Sequence, residues 1–287
     1  MTSRGLHPTA RKARFVALKL GISSFTFTWT VGFPGKRPPN QLTVHDLLDR
    51  ATNLGVHLLQ IGDHLPLHEV PEPELAAFDN RAKELGIDIE VGMRGVGHEE
   101  LRTYIGLAER LGSPILRTVV DTATHEPTND EIVGNCKDML PEFERAGVTL
   151  AIENHDRLKV RDLLEIVERV DSKWVGICLD TTNSFAAGEG PEYVIESLAP
   201  YAVNFHLKDY TVYRFPHMMG LIIEGRPMGQ GKLDVKWALD TVLKYGHDPN
   251  TILELWTYPE DTLEATQAKQ DAWAAASVEY MRRFIKD

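Results

Sequence analysis

Eight short β-rich runs, each followed by a helix-like stretch that closes on glycine or a turn, recur along the chain and limit its fold more than any other feature. The runs are Leu18–Phe25, Leu58–Gly62, Ile87–Met93, Ile115–Val120, Thr149–Asn154, Val175–Asp180, Ala202–Leu207 and Thr251–Trp256. Their spacing is close to the roughly 30 residues of a βα unit, with the longest intervals first and last. The stretches at 44–55, 73–86, 98–112 and 164–170 place apolar residues three and four apart, as a helix with one buried face requires. In 234–246, Asp234 suits an N-cap and Gly246 a C-cap. Such alternation builds a parallel sheet covered by helices. Eight units in 287 residues predict fold class α/β, a single (β/α)8 TIM barrel over residues 15–287, with 274–285 as the last helix. A doubly wound open sheet is the competitor, but its Gly-rich fingerprint is missing after the first run, where SSFTFTWTVGFPG has its glycines elsewhere.

Residues 1–14 carry Arg4, Arg11, Lys12 and Arg14 and no acid. With no apolar run or small-residue cleavage site behind them, they read as a disordered basic tail and not a secretory signal. The formal net charge of −11 speaks against nucleic acid or an anionic membrane as partner, since neutralising phosphates needs a basic surface. No apolar stretch approaches the roughly 18 residues of a membrane span. Two cysteines, Cys136 and Cys178, make no disulfide framework. The expectation is a reduced, cytoplasmic enzyme acting on a small molecule.

In a barrel of this kind, chemistry sits at the C-terminal ends of the strands. Run five ends in Glu153-Asn154-His155, run six ends in Asp180 with Asn183 just beyond, run seven carries His206 and Lys208, and run eight carries Glu254. Ionisable residues on strands buried on both faces are costly unless paired or metal-bound. Three carboxylates at one end call for a cation between them. Oxygen-rich ligation with one imidazole suits Mn2+, with Mg2+ or Co2+ as alternatives, and suits zinc less. The competing reading is a set of separate caps and ion pairs.

Glu153, Asp180, His206 and Glu254 resemble the Glu/Asp/His/Glu metal set of the xylose isomerase-like TIM-barrel superfamily. The resemblance runs from about Leu18 to Ile285 and includes IENHD, LDTTNS, NFHLKD and MGQGKLD. It implies one divalent metal ion, with Glu153 and Glu254 as ligands that also carry the catalytic proton and Asp180 and His206 as ligands only. It further implies a small keto sugar or sugar acid processed through a metal-stabilised enediolate, as in sugar isomerases and epimerases, and a homo-oligomer. Asn183 stands where ketose 3-epimerases have a histidine, and Val212 where they have an arginine, with Arg214 close by. FTFTWTVGFPG, QIGDHLPL, VGMRG and HLKDY…HMMG also resemble the 3-oxo-isoapionate decarboxylase group, which implies decarboxylation of a 3-oxo sugar acid as the alternative, its carboxylate oriented by Arg94 or Lys208. A non-catalytic sugar-binding barrel is the reading from outside catalysis.

The remaining substrate-binding candidates are His155, Asn183, Lys208, Arg94, Asp63, His64, Trp29 and Trp256, each with a structural alternative in capping, ion pairing or core packing. Arg117, late in run four, reads as an anion binder or an internal salt bridge. Arg226 with Gly225, Gly229 and Gly231 suggests a phosphate cradle, but a plain mobile loop is preferred, and no phosphorylated substrate is expected.

Overall fold

The computed structural model describes residues 18–33 and 35–286, so the basic tail at 1–14 lies outside the described residues. The first half of the chain runs β1 (Leu20–Ser23), the one-turn α1 (Thr28–Val31), α2 (Val44–Leu54), β2 (Leu58–Ile61), α3 (Glu72–Leu85), β3 (Asp88–Arg94), α4 (His98–Leu111), β4 (Ile115–Val119) and α5 (Asn129–Ala146). The second half runs β5 (Thr149–Glu153), α6 (Val160–Val170), β6 (Val175–Asp180), α7 (Pro191–Leu198), β7 (Ala202–Leu207), β8 (Asp209–Arg214), β9 (Leu221–Arg226), α8 (Val235–Leu243), β10 (Asn250–Leu253) and α9 (Leu263–Met281). Among the described residues, eight of these strands close into a parallel barrel in the order β1-β10-β7-β6-β5-β4-β3-β2. An open sheet would leave two edges. Here β1 pairs with both β2 and β10, so the doubly wound alternative is excluded.

Local sequence explains the helix ends. Thr43 and Thr128 open α2 and α5 with reciprocal capping boxes, satisfying amides that the first turn leaves without partners. Asp234 caps α8 by accepting from the Trp237 amide, as its position suggests, although the helix ends at Leu243, short of Gly246. Leu163, Ile166, Val167 and Val170 put α6's apolar face on the barrel. The last helix starts at Leu263, well before the expected 274.

The long last interval is not a loop alone. It contains β8 and β9, an antiparallel hairpin outside the barrel with Tyr213 opposite Ile222 and Val212 opposite Ile223. The first and last runs are also shorter than expected: β1 ends at Ser23, where a 3-10 turn over Ser24–Phe27 begins, and β10 ends at Leu253. Glu254 therefore sits one residue past its strand, on the barrel's C-terminal rim.

Candidate active site

Side chains alternate across a strand, so a residue two places beyond an inward-facing one also points into the barrel. Ile115, Ala151 and Cys178 pack together as a small buried cluster. Two residues later on the same strands come Arg117, Glu153 and Asp180, all buried. β7 supplies His206, and Glu254 follows β10. Four strand ends thus deliver three carboxylates and an imidazole to one point.

His206 is the hub. Its Nδ1 lies 3.5 Å from Glu153 Oε2, 3.9 Å from Asp180 Oδ2 and 3.4 Å from Glu254 Oε1. Asp180 Oδ1 accepts from the amides of Thr182 and Asn183, both at 2.8 Å, which aims Oδ2 inward. The Asn183 side chain donates to Glu153 Oε1 at 2.6 Å. That bond explains an amide at this position: it orients a carboxylate without competing for its proton.

The carboxylates that call for a metal when read from the sequence are partly compensated by side chains of the barrel itself. Arg117 pairs through Nε with Glu153 and through Nη1 with Asp63, at 2.7 Å. Lys208 bridges Asp180 and Glu254, with Nζ 2.7 Å from Glu254 Oε2. Burial raises the pKa of Glu153, but Arg117, then His206 and Lys208, outweigh it and hold the pKa below the usual carboxylate range. Burial opposes ionisation of Glu254 too, yet His206 and Lys208 hold it well down. For His206, burial favours the neutral ring, while the charges of Glu254 and Glu153 prevail and raise its pKa.

The donor set still fits a divalent cation. His206 Nε2 is buried without a hydrogen-bond partner, and Nδ1 meets Glu254 Oε1 only at 3.4 Å without good hydrogen-bond alignment, an arrangement that costs free energy unless something fills it. Ligand atoms of Asp180, His206 and Glu254 lie within 4.8 Å of one another, as do those of Glu153, Cys178 and His206. Cys178 sits beneath, its thiol donating to Asn204 Oδ1 at 3.5 Å and its pKa raised well above normal by burial, so it meets the site as a neutral group. The hard oxygens are then the better ligands for Mg2+ or Mn2+.

Above this set opens a cleft of about 200 Å³, lined by Phe25, Arg94, His155, Asn183, Lys208 and Trp256 among others. It is smaller than the roughly 300–1,000 Å³ of sites for drug-sized ligands, and suits a substrate of a few carbons. Arg94 holds the rim, its Nε donating to Asp63 Oδ2 at 2.8 Å. His155 pairs with Asp156 at 3.0 Å.

Three expected substrate contacts fall elsewhere. Asp63 lies between Arg94 and Arg117 and orients both; burial raises its pKa, and the two arginines more than reverse this. His64 packs edge-on against Phe25, centroids 3.9 Å apart, with both ring nitrogens unpartnered and its pKa lowered to about 4 by burial. Trp29 lines a neighbouring apolar cavity of about 330 Å³, its indole N–H donating to the Thr257 carbonyl at 2.8 Å. Trp256 borders both spaces. Phe25 was not singled out from the sequence, and nothing about a lone phenylalanine after a strand marks it.

The glycine-rich turn has its amides turned onto a carboxylate of the chain itself. Asp209 accepts from the amides of Gly229, Gly231 and Leu233 at 2.9, 2.9 and 3.0 Å. A Cβ on Gly231 would come within 2.1 Å of the Asp209 carboxylate, so glycine is required there. The chain's own carboxylate fills the site where an anion was considered.

Residues 17–284 match the family described as xylose isomerase-like TIM barrel. The chain belongs to that family. This xylose isomerase-like barrel is an enzyme, as are its characterised relatives. It is 34% identical over 264 residues to 3-oxo-isoapionate decarboxylase of Pectobacterium atrosepticum, covering 92% of this chain and 95% of that protein. It is 23% identical over 211 residues to L-ribulose-5-phosphate 3-epimerase of Salmonella paratyphi A, covering 71% of each. A xylose isomerase-like TIM barrel protein from Mycobacterium smegmatis, solved in complex with magnesium, superposes with a TM-score of 0.68 at 15% identity over 91% of this chain and 97% of that one, a likeness of fold.

Proposed function

We propose that the barrel decarboxylates a small 3-oxo sugar acid with the aid of a divalent cation. The observation that carries this reading is the likeness to a decarboxylase of 3-oxo-isoapionate over nearly the full length of both chains. The cleft supports it, because Arg94 lines its rim with a half-exposed side chain that can reach a substrate carboxylate while still bonded to Asp63. When CO2 leaves a 3-oxo acid, the electrons of the broken C–C bond pass toward the 3-oxo oxygen, and one proton must then reach carbon. Arg94, at the rim, would orient the carboxylate, and Lys208, deeper and beside Glu254, would face the oxygen on which negative charge develops. Glu254, whose own pKa is held well down, would relay to carbon a proton taken up from water as negative charge develops on the substrate, through Oε1, which has no well-aligned hydrogen bond. A divalent cation on Glu153, Asp180, His206 and Glu254 would supply an electrophile for adjacent substrate oxygens.

The isomerase or epimerase reading, placed first from the sequence, becomes second. It is favoured by Glu153 and Glu254 flanking one point, each about equally far from His206 Nδ1, as a two-sided proton exchange needs. It is disfavoured by Asn183, which cannot transfer a proton. A panel of 3-oxo sugar acids and neutral ketoses, assayed in deuterated water for CO2 release and for C–H exchange, separates the two. CO2 release that Glu254→Gln lowers by about 10²–10⁴-fold supports decarboxylation. Exchange without carbon loss overturns it in favour of epimerisation. Binding without either reaction would support the non-catalytic barrel.

A further inference from the structure

The apolar cavity of about 330 Å³ lies beside the catalytic cleft, and the two share walls: Thr28, Leu255 and Trp256 border both. Trp256 stands between them, its ring centroid 5.9 Å from Lys208 Nζ. An extended chain advances roughly 1.2 Å per bond, so about five bonds carry a substrate from the group that faces Lys208 to the Trp256 ring. The rest of the wall suits an apolar guest. A Cβ on Gly225 would lie 2.2 Å from the Trp256 carbonyl oxygen, so this face of β9 is turned onto the rim. Side chains two apart share a face, and Ile223 therefore closes the cavity on the hairpin side. Trp29 and Phe33 meet edge to face with centroids 5.6 Å apart, which sets the angle between two of the rings in the wall.

The polar side chains of this wall are already engaged. Thr28 donates to the Phe25 carbonyl at 2.9 Å and Trp29 to the Thr257 carbonyl at 2.8 Å. Glu224, on the opposite face of β9 from Ile223, accepts from the Tyr213 hydroxyl at 3.0 Å and pairs with Arg226. The Thr257 hydroxyl is buried away from the open space. Tyr258, 58% exposed, is left to meet a single polar atom. A sugar ring here would give up the water around several hydroxyls and find almost nothing in exchange. A planar hydrocarbon ring has no such loss, and it gains the offset and edge contacts that aromatic walls offer. Size agrees, since a cavity of about 150 Å³ already takes benzene.

We propose that this cavity is a subsite for an aryl group carried by the substrate, about five bonds from the oxygen that Lys208 faces. The few carbons of the acid end occupy the cleft and the ring lies beyond Trp256. The acid end rests on the decarboxylase reading, whereas the aryl end rests on the cavity alone.

Tryptophan fluorescence and saturation-transfer NMR of the Mg2+-loaded full chain test the two ends separately, with benzyl alcohol, 3-oxohexanoate and the counterpart of that acid ending in a phenyl ring. The phenyl-ended acid should bind at least tenfold more tightly than 3-oxohexanoate. Benzyl alcohol should bind, compete with the phenyl-ended acid and leave the affinity for 3-oxohexanoate unchanged. Ile223→Trp, which fills the cavity, should abolish both the tenfold difference and the benzyl alcohol site. Should that variant fail to fold, Tyr258→Asp, at an exposed position, should weaken both. Leu243→Asp, on α8 away from the cavity, should alter neither. Equal affinity for the two acids overturns the proposal, as does an absence of benzyl alcohol binding or binding that neither cavity variant weakens. Benzyl alcohol bound with neither acid bound upholds the aryl site and overturns the decarboxylase reading instead.

Discussion

Replacing Arg117 with methionine strands two carboxylates that share its guanidinium. The side chain is fully buried, its Nε on Glu153 and its Nη1 2.7 Å from Asp63. Breaking a buried pair by removing one partner costs about 3–5 kcal/mol, because the other charge remains out of water. Asp63 keeps Arg94, and Glu153 keeps Asn183, which points to the lower end, about 3 kcal/mol. For a domain of this size, each kcal/mol moves the melting midpoint by about 2–4 °C, so Tm should fall by about 6–12 °C. Thermal and urea unfolding in excess EDTA measure this with no bound divalent ion contributing. Glu153, with its pKa held low, contributes stability that is complete above the unfolded carboxylate value and lost as pH falls through the folded one. Without Arg117 that acid-side loss should be shallower. Adding Glu153→Gln removes the stranded charge, so the double variant should be more stable than the sum of the single losses by at least about 1 kcal/mol. A Tm within 2 °C of wild type, or strict additivity, would refute the counterion role.

Three further outcomes are expected. Adding Mg2+ or Mn2+ to EDTA-treated protein at about 100 times Kd should stabilise it by about 2.7 kcal/mol, and His206→Gln should abolish the shift in Tm; an equal shift in the variant removes His206 from the ligand set. Asp209→Ala leaves the amides of Gly229, Gly231 and Leu233 without their acceptor, at about 1–3 kcal/mol for each that water does not reach. Amide exchange over 228–234 should then rise at least tenfold while β5 and β6 stay protected, and unchanged exchange would contradict the pinned loop. His64, with its pKa lowered to about 4 from 6.5, takes up its proton more readily unfolded, so it withdraws stability as pH falls from 6.5 to 4. The withdrawal is about 3 kcal/mol at most, and a His64→Phe variant should show a flatter stability profile across that window; identical profiles would place the imidazole in water.

The residues that converge at the barrel mouth were legible because a buried parallel strand should read apolar, so Glu153, Asp180 and His206 stood out at the ends of such runs. Arg117 was ambiguous for the same reason: strand position says that an arginine is inside, but not which carboxylates on neighbouring strands it meets. For Lys208 the sequence offers either a substrate cation or an ion pair with Asp180 or Asp209; the structure has the pair with Asp180, and barrel closure adds Glu254 from a segment distant in sequence. The hairpin escaped notice because its strands lie within one long interval and pair only with each other. Asp209 explains the turn that resembled the family's: NFHLKD and MGQGKLD are two halves of a single local structure, the acid of one held by the amides of the other.

Below the carboxylate set, the barrel encloses Glu90, wholly buried among amides: it accepts from Gln60 at 3.0 Å, Asn204 at 2.8 Å and Asn250 at 2.6 Å, and burial raises its pKa. Those four side chains come from β2, β3, β7 and β10, so a shift of any of these strands by one residue would turn a polar group outward and leave its companions dry. The cluster therefore works as a key that fits one alignment of four strands. Diverging members of the family should keep all four positions or exchange them as a block, and a graft of one strand from a relative should succeed only when the other three travel with it.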